Sequence, residues 1–167
     1  MKLHFSQRYA ACPLTEADVD AILALCAENE QFYRYHPPLA TKESILEDLT
    51  ALPPGKNAAD KHYLGVFDGE GLTAVLDLIE RYPQEDGAYI GFFMTRKAVQ
   101  GRGVGSALIG ELLNELREEG FRRVRLAVDR GNPQSKAFWE KNGFALTGEE
   151  MPHDASAYLL MERELKK

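Results

Sequence analysis

The stretch VQGRGVGSALIGELL, residues 99–113, sets Gly101, Gly103 and Gly105 at alternate positions directly before a run of helix-forming residues. Glycine in a structured segment costs roughly 0.5–1 kcal/mol relative to alanine, so this density means that bare backbone is wanted there. Three readings compete. A tight turn between strand and helix needs only one or two glycines. A dinucleotide-binding loop would use Gly101 and Gly103, with Asp129 closing the next strand, but Ser106 stands where its third glycine belongs and TRKAVQ separates strand from glycines. A P-loop is excluded, since no Gly-Lys-Ser/Thr follows. The third reading is a cradle, in which successive amides feeding a helix N-terminus surround the oxygens of a pyrophosphate and the helix dipole adds about 0.3–1 kcal/mol.

The helix after the glycines has an apolar face of Leu108, Ile109, Leu112, Leu113 and Leu116, opposite Glu111, Asn114, Glu115 and Glu118, and Gly120 ends it. In RRVRLAVD, Val124, Leu126 and Val128 alternate with Arg123 and Arg125, the pattern of a strand with one buried face. Asn132 caps a short helix that Pro133 opens and Gly143 closes, and AYLLMERELKK reads as a last strand. Upstream, HYLGVF, LTAVLDLIERY and AYIGFFM, separated by DGEG and PQEDG, predict an antiparallel meander. Nearer the N-terminus, Thr15 caps a helix running to about Asn29, with Asp18 reaching back and Leu14 packing on Val19. The aromatic segment QFYRYHPP joins it to a second helix, capped by Thr41 and carrying Ile45, Leu46 and Leu49. The predicted order is helix, helix, three strands, helix, strand, helix, strand. That order makes a mixed α/β sheet, an antiparallel meander joined to a β-α-β unit. No repeat or linker divides the chain, so residues 1–167 read as a single domain.

A chain of 167 residues with 44% hydrophobic and 28% charged residues can build one full core. Its net charge of -6 argues against nucleic acid or an anionic membrane as partner and suits a cationic substrate. MKLHFSQRYA lacks the apolar core of a signal peptide, and the expectation is a cytoplasmic protein. Cys12 and Cys26 have no metal-ligand spacing, no metal is expected, and Cys26 shares a helical face with Val19, Ile22 and Leu23 as a core residue.

Gln100-Gly101-Arg102-Gly103-Val104-Gly105 resembles the Gln/Arg-x-x-Gly-x-Gly/Ala pyrophosphate loop of the GNAT superfamily of N-acetyltransferases, and NPQSKAFWEKNGF resembles that family's second signature. The likeness runs from about Ala88 to Phe144; the N-terminal half matches only in its order of elements. It implies a GNAT-like fold with splayed central strands, acetyl-CoA as co-substrate, and transfer of the acetyl group to a primary amine of a small molecule or peptide. Direct attack in a ternary complex is expected, since no Cys-His or Ser-His pairing marks a covalent intermediate. The pantetheine arm would insert between the parted strands and satisfy their free amides and carbonyls. Phe92, Phe93 and Met94 would touch it, and a backbone amide near Met94 would polarise the thioester carbonyl. The amides of Gln100, Gly101, Arg102, Gly103, Val104, Gly105 and Ser106 would hold the pyrophosphate. Asn132 and the helix bearing Ser135, Lys136 and Phe138 would flank the arm, with Arg102, Lys97 and Lys136 as cations for the phosphates.

Trp139 departs from the family pattern, which places there a tyrosine that protonates the leaving thiolate. An indole N–H does not give up its proton at ordinary pH, so Trp139 packs beside the thioester and the proton comes from the substrate, water or another phenol, Tyr89 and Tyr158 being candidates. An alkyl ammonium of pKa about 10.4 is neutral in roughly one molecule in 2,500 at pH 7, a deficit of about 4.6 kcal/mol that desolvation or a base must supply. Asp77 and Glu80 face opposite sides of one strand, so at most one sees the cleft, and Glu80 is the favoured base because a buried Asp77 would break the apolar series. For the acceptor, the resemblance makes the Phe32–Pro37 segment a cover, with Tyr33, Tyr35 and His36 as candidate contacts. The rival readings are a non-catalytic acyl-CoA-binding module and, more distantly, a nucleotide-dependent oxidoreductase. Homodimerisation is a further expectation.

Overall fold

A computed structural model describes residues 6–154 and 156–167, so the opening MKLHF, part of the stretch read for a signal peptide, lies outside it. The run of Ala74, Val75, Leu76, Leu78 and Ile79 in β3 (Gly71–Glu80) is buried throughout, as a strand covered on both faces must be. Around it lie β1 (Ala10–Pro13), β2 (Lys61–Asp68), β4 (Gly87–Thr95), β5 (Arg123–Asp129), β6 (Ala145–His153) and β7 (Ser156–Glu164). They form one sheet in the order β1-β2-β3-β4-β5-β7-β6. Only β4 and β5 pair in parallel; every other pairing is antiparallel.

Helices cover both faces. On one side α4 (Val104–Glu118) presents Leu108, Ile109, Leu112, Leu113 and Leu116 to Leu76, Leu78, Ile90, Val124 and Leu126, with Trp139 of α5 (Pro133–Lys141) in the same cluster. Each such side chain contributes about 1.5–3 kcal/mol by leaving water. On the other side α1 (Val19–Glu28) and α3 (Lys42–Thr50) bring Ile22, Leu25, Cys26 and Ile45 against Tyr63, Val75 and Met94. Cys26 is therefore a core residue.

The caps follow the expected chemistry. Thr15 and Asp18 form a reciprocal capping box at a short 3₁₀ turn leading into α1, Thr41 and Ser44 form another before α3, and Asn132 accepts from the Ser135 amide ahead of Pro133. Three elements were not anticipated. AACP pairs as the edge strand β1, α2 (Glu30–Tyr35) takes up the first part of the QFYRYHPP segment rather than leaving it only a connection, and β6 precedes the last strand. β6 reads poorly as a strand because Gly148 has φ +90 and the register shifts between Leu146 and Glu150.

Candidate active site

The β4–β5 ladder runs from Gly87↔Arg123 only to Ile90↔Leu126, although β4 continues to Thr95 and β5 to Asp129. The parting begins at Gly91, which the β3 register skips: Asp77 pairs with Phe92 and Leu78 with Ile90. Such a bulge bends its strand and increases its twist. Ala127, Val128 and Asp129 stay paired to β7, so β4 alone turns away. Between the parted ends opens a cleft of about 740 Å³, walled by β4 from Tyr89 to Thr95, β5 from Leu126 to Asp129, the glycine loop, α5 and α2.

At one end, Gly101 and Gly103 adopt φ +75 and +78 with nothing within 4 Å of an added Cβ, and both line the cleft. Gly103 is the N-cap of α4, and no side chain caps that helix. Its first-turn amides thus lack the usual side-chain acceptor, which suits an anion. Gly105 sits closer, a Cβ there meeting Phe138 at 3.3 Å. The loop is pinned from behind: Gln100 Nε2 donates to Asn29 Oδ1 at 2.7 Å and the Thr95 carbonyl at 3.0 Å, and the Lys97 amide donates to Glu28 at 2.9 Å. Ser106 accepts from Asn142 Nδ2 at 3.2 Å, and Asn132 donates to Ser135 Oγ at 3.1 Å.

At the other end the cleft meets α2. His36 Nδ1 lies 3.1 Å from both carboxylate oxygens of Asp129, a residue only 6% exposed. The His36 ring is 5.3 Å from Phe32 and 6.0 Å from Tyr158, and His153 stacks on Tyr158 at 4.0 Å. Burial, then the Asp129 charge, pushes the Tyr158 phenol above its ordinary pKa; burial and then Tyr82 do the same for Tyr89.

Of the residues singled out in the sequence, the cleft gathers Tyr89, Phe92, Phe93, Met94, Lys97, Gln100, Gly101, Gly103, Gly105, Ser106, Asn132, Ser135, Phe138, Trp139, Tyr158 and His36. Others lie elsewhere. Arg102 and Val104 contribute no lining side chain, and Lys136 turns to Glu140 at 3.2 Å. Tyr33 is buried in the α1–α3 core and Tyr35 points outside the cleft. The sequence allows at most one β3 carboxylate at the cleft and favours Glu80, but neither Glu80 nor Asp77 lines it. Glu80, 3% exposed, lies 2.8 Å from His62 Nε2 and 3.7 Å from Arg81, and Asp77 is held by Lys61 at 3.0 Å. Trp139 packs between Phe138 at 4.9 Å and Phe144 at 5.2 Å. Asp129, Arg34 and Met151 were missed as lining residues. Asp129 offered a signal, the polar end of an apolar strand just before a helix cap.

The family model described as acetyltransferase (GNAT) family matches residues 22–144, and the chain belongs to that family. This sets aside the oxidoreductase reading of the glycine loop. A mycothiol acetyltransferase of Beutenbergia cavernae is 32% identical over 131 residues, 78% of this chain but 42% of that protein, so the chain spans less than half of its length. Among solved structures, an acetyltransferase from Thermus thermophilus superposes with TM-score 0.75 at 23% identity, covering 94% of this chain and 97% of the other. The PaiA N-acetyltransferase of Thermoplasma acidophilum in complex with coenzyme A superposes with TM-score 0.68 at 19% identity, over 95% and 99% of the two chains. These last two likenesses establish the fold.

Proposed function

We propose that residues 1–167 form one N-acetyltransferase domain that moves the acetyl group of acetyl-CoA to a primary amine by direct attack in a ternary complex. The observation that carries the reading is the parted β4–β5 pair opening beside a glycine loop whose helix has no side-chain cap. The chemistry of the walls suits the co-substrate. The edge of β4 from Gly91 to Met94 that has no β5 partner offers backbone groups to the amides of a pantetheine arm, and the left-handed backbone at Gly101 and Gly103 leaves the loop bare for a pyrophosphate. Bound there, acetyl-CoA supplies the activated thioester.

In this reading the backbone amide at Met94, with Phe92 and Phe93 beside it, orients the carbonyl, and Gln100 holds the loop in shape. Asn132, Ser135 and Phe138 flank the arm, and Lys97, which lines the cleft together with Lys141, is a cation for the phosphates. Trp139 excludes water without donating a proton. Tyr89 and Tyr158, kept protonated by burial, hold the phenolic protons available to the departing thiolate. The acceptor enters at the α2 end, between Phe32, His36 and Tyr158. A primary amine of a small molecule or peptide suits this end, where the buried Asp129 carboxylate favours a cation. The non-catalytic alternative rests mainly on Trp139, and the imidazole and phenols of the acceptor end weigh against it. Among the described residues no helix is long and apolar enough to cross a membrane, and no group of three or more His, Cys, Asp or Glu side chains is placed to hold a metal ion.

The test is CoA release from acetyl-CoA, followed by thiol detection against alkylamines, polyamines, an aminoglycoside and a peptide amine, with a no-amine control. Amine-dependent release is the expected result. Acetyl-CoA binding without release from any amine favours the binding-module alternative.

A further inference from the structure

Neither β3 carboxylate enters the cleft; of those that line it, Glu28 accepts from the Lys97 amide beside the glycine loop, Glu30 stands at the start of α2, and Asp129 faces His36. We propose that His36, oriented by Asp129, is the catalytic base that takes the proton from the acceptor ammonium; the inference rests on the transferase reading just given. Asp129 is buried, and its carboxylate meets two imidazoles, His36 Nδ1 at 3.1 Å and His153 Nε2 at 3.7 Å, the second too far for a hydrogen bond. An ionised carboxylate only accepts, so neutral His36 carries its proton on Nδ1 and leaves the Nε2 lone pair free. No hydrogen bond to His36 Nε2 occurs among the described residues, and the ring, 39% exposed on its side chain, lines the cleft that holds Phe93, Met94 and Trp139.

The arrangement also spans two elements. His36 is the C-cap of α2 and Asp129 ends β5, so their bond closes the acceptor end over the parted strands. The charged and titratable groups around the ring are Asp129 on β5, His153 on β6, Tyr158 on β7 and Arg34 on α2, with Asp48 on α3 farther off. Protons balance as follows. His36 Nε2 takes one proton from R–NH₃⁺, and the nitrogen lone pair forms the N–C bond as the C–S bond breaks. The nitrogen's second proton passes to the sulfur, directly or by exchange through a cleft phenol. His36 returns its proton to water, and the net release is one proton per acetyl group transferred.

The experiment uses the full chain and its His36→Gln and Asp129→Asn variants. Imidazole nitrogen shifts measured without substrate should give neutral His36 as the Nδ1–H tautomer, moving toward Nε2–H in Asp129→Asn; an Nε2–H tautomer in the unmodified protein overturns the proposal. With the most active panel amine, His36→Gln should lose about 10²–10⁴-fold in kcat and the acidic limb of its kcat/KM profile, with acetyl-CoA affinity by calorimetry unchanged. Hydroxylamine, already neutral at pH 8, should recover most of that loss, which a merely structural role would not allow. An unmodified protein that turns over beside a His36→Gln variant of equal kcat overturns the base and leaves the transferase standing. An unmodified protein that releases CoA with no amine overturns the transferase reading and the base together.

Discussion

The Asp77 carboxylate lies 2.9 Å from where a Cβ on Gly91 would stand, so β3 and β4 meet there only because residue 91 has no side chain. Lys61 holds that carboxylate through a 3.0 Å ion pair, leaving it little room to swing aside. Gly91→Ala should therefore cost about 1–3 kcal/mol in urea denaturation, the usual penalty of overpacking, and weaken acetyl-CoA binding by changing how β4 parts from β5. Unchanged stability and affinity would mean that the carboxylate yields and that the bulge is set elsewhere.

At Gly103 the space around a Cβ is open but the backbone is left-handed. A side chain there costs about 1–2 kcal/mol in strain and occupies the bare face of the loop. Gly103→Val should raise the acetyl-CoA Kd at least tenfold, a loss of about 1.4 kcal/mol, in calorimetry. Gly110→Ala is the control, inside α4 and also with open space, and should leave binding unchanged while stabilising the helix by about 0.5–1 kcal/mol.

Trp139 separates packing from proton transfer. Enclosed by Phe93, Phe138 and Phe144, it should cost about 3–5 kcal/mol on truncation to alanine. Trp139→Phe keeps an aromatic ring and removes the N–H, so steady-state kinetics should show kcat close to that of the unmodified protein. A large fall in kcat with stability preserved would give the indole N–H a role in the reaction.

Burial is the largest cause raising the pKa of Tyr33, Tyr63, Tyr89 and Tyr158 above that of a free phenol. The unfolded chain then loses these protons first. Stability from this source is complete below about pH 10 and falls as pH rises above it, through the raised folded-state values. Denaturation midpoints between pH 8 and 11 should show the decline, and a Tyr33→Phe, Tyr63→Phe double variant should flatten it. An undiminished slope in that variant would assign the alkaline loss to other groups.

Much of this protein is local chemistry. The apolar face of α4, the Thr15, Thr41 and Asn132 caps and the alternation in RRVRLAVD each follow from period, side-chain oxygen or glycine placement. The glycine loop was legible for the same reason, since left-handed backbone at Gly101 and Gly103 leaves its mark directly in residue choice. β1 and β6 were not, because four residues carry no period and Gly148 breaks the other strand's register.

The α2 end of the cleft is different in kind. Period-two alternation says that Asp77 and Glu80 face opposite ways, but which face holds a cleft depends on the bulge at Gly91 and on Lys61 and His62, brought across from β2. His36 and Asp129 are separated by 93 residues, and nothing in either neighbourhood names the other. The elements and the glycine loop could be read from residue order, because they depend on neighbours along the chain. Which carboxylate meets an imidazole at the cleft could not, because that contact is made by strand order and by where two parallel strands part.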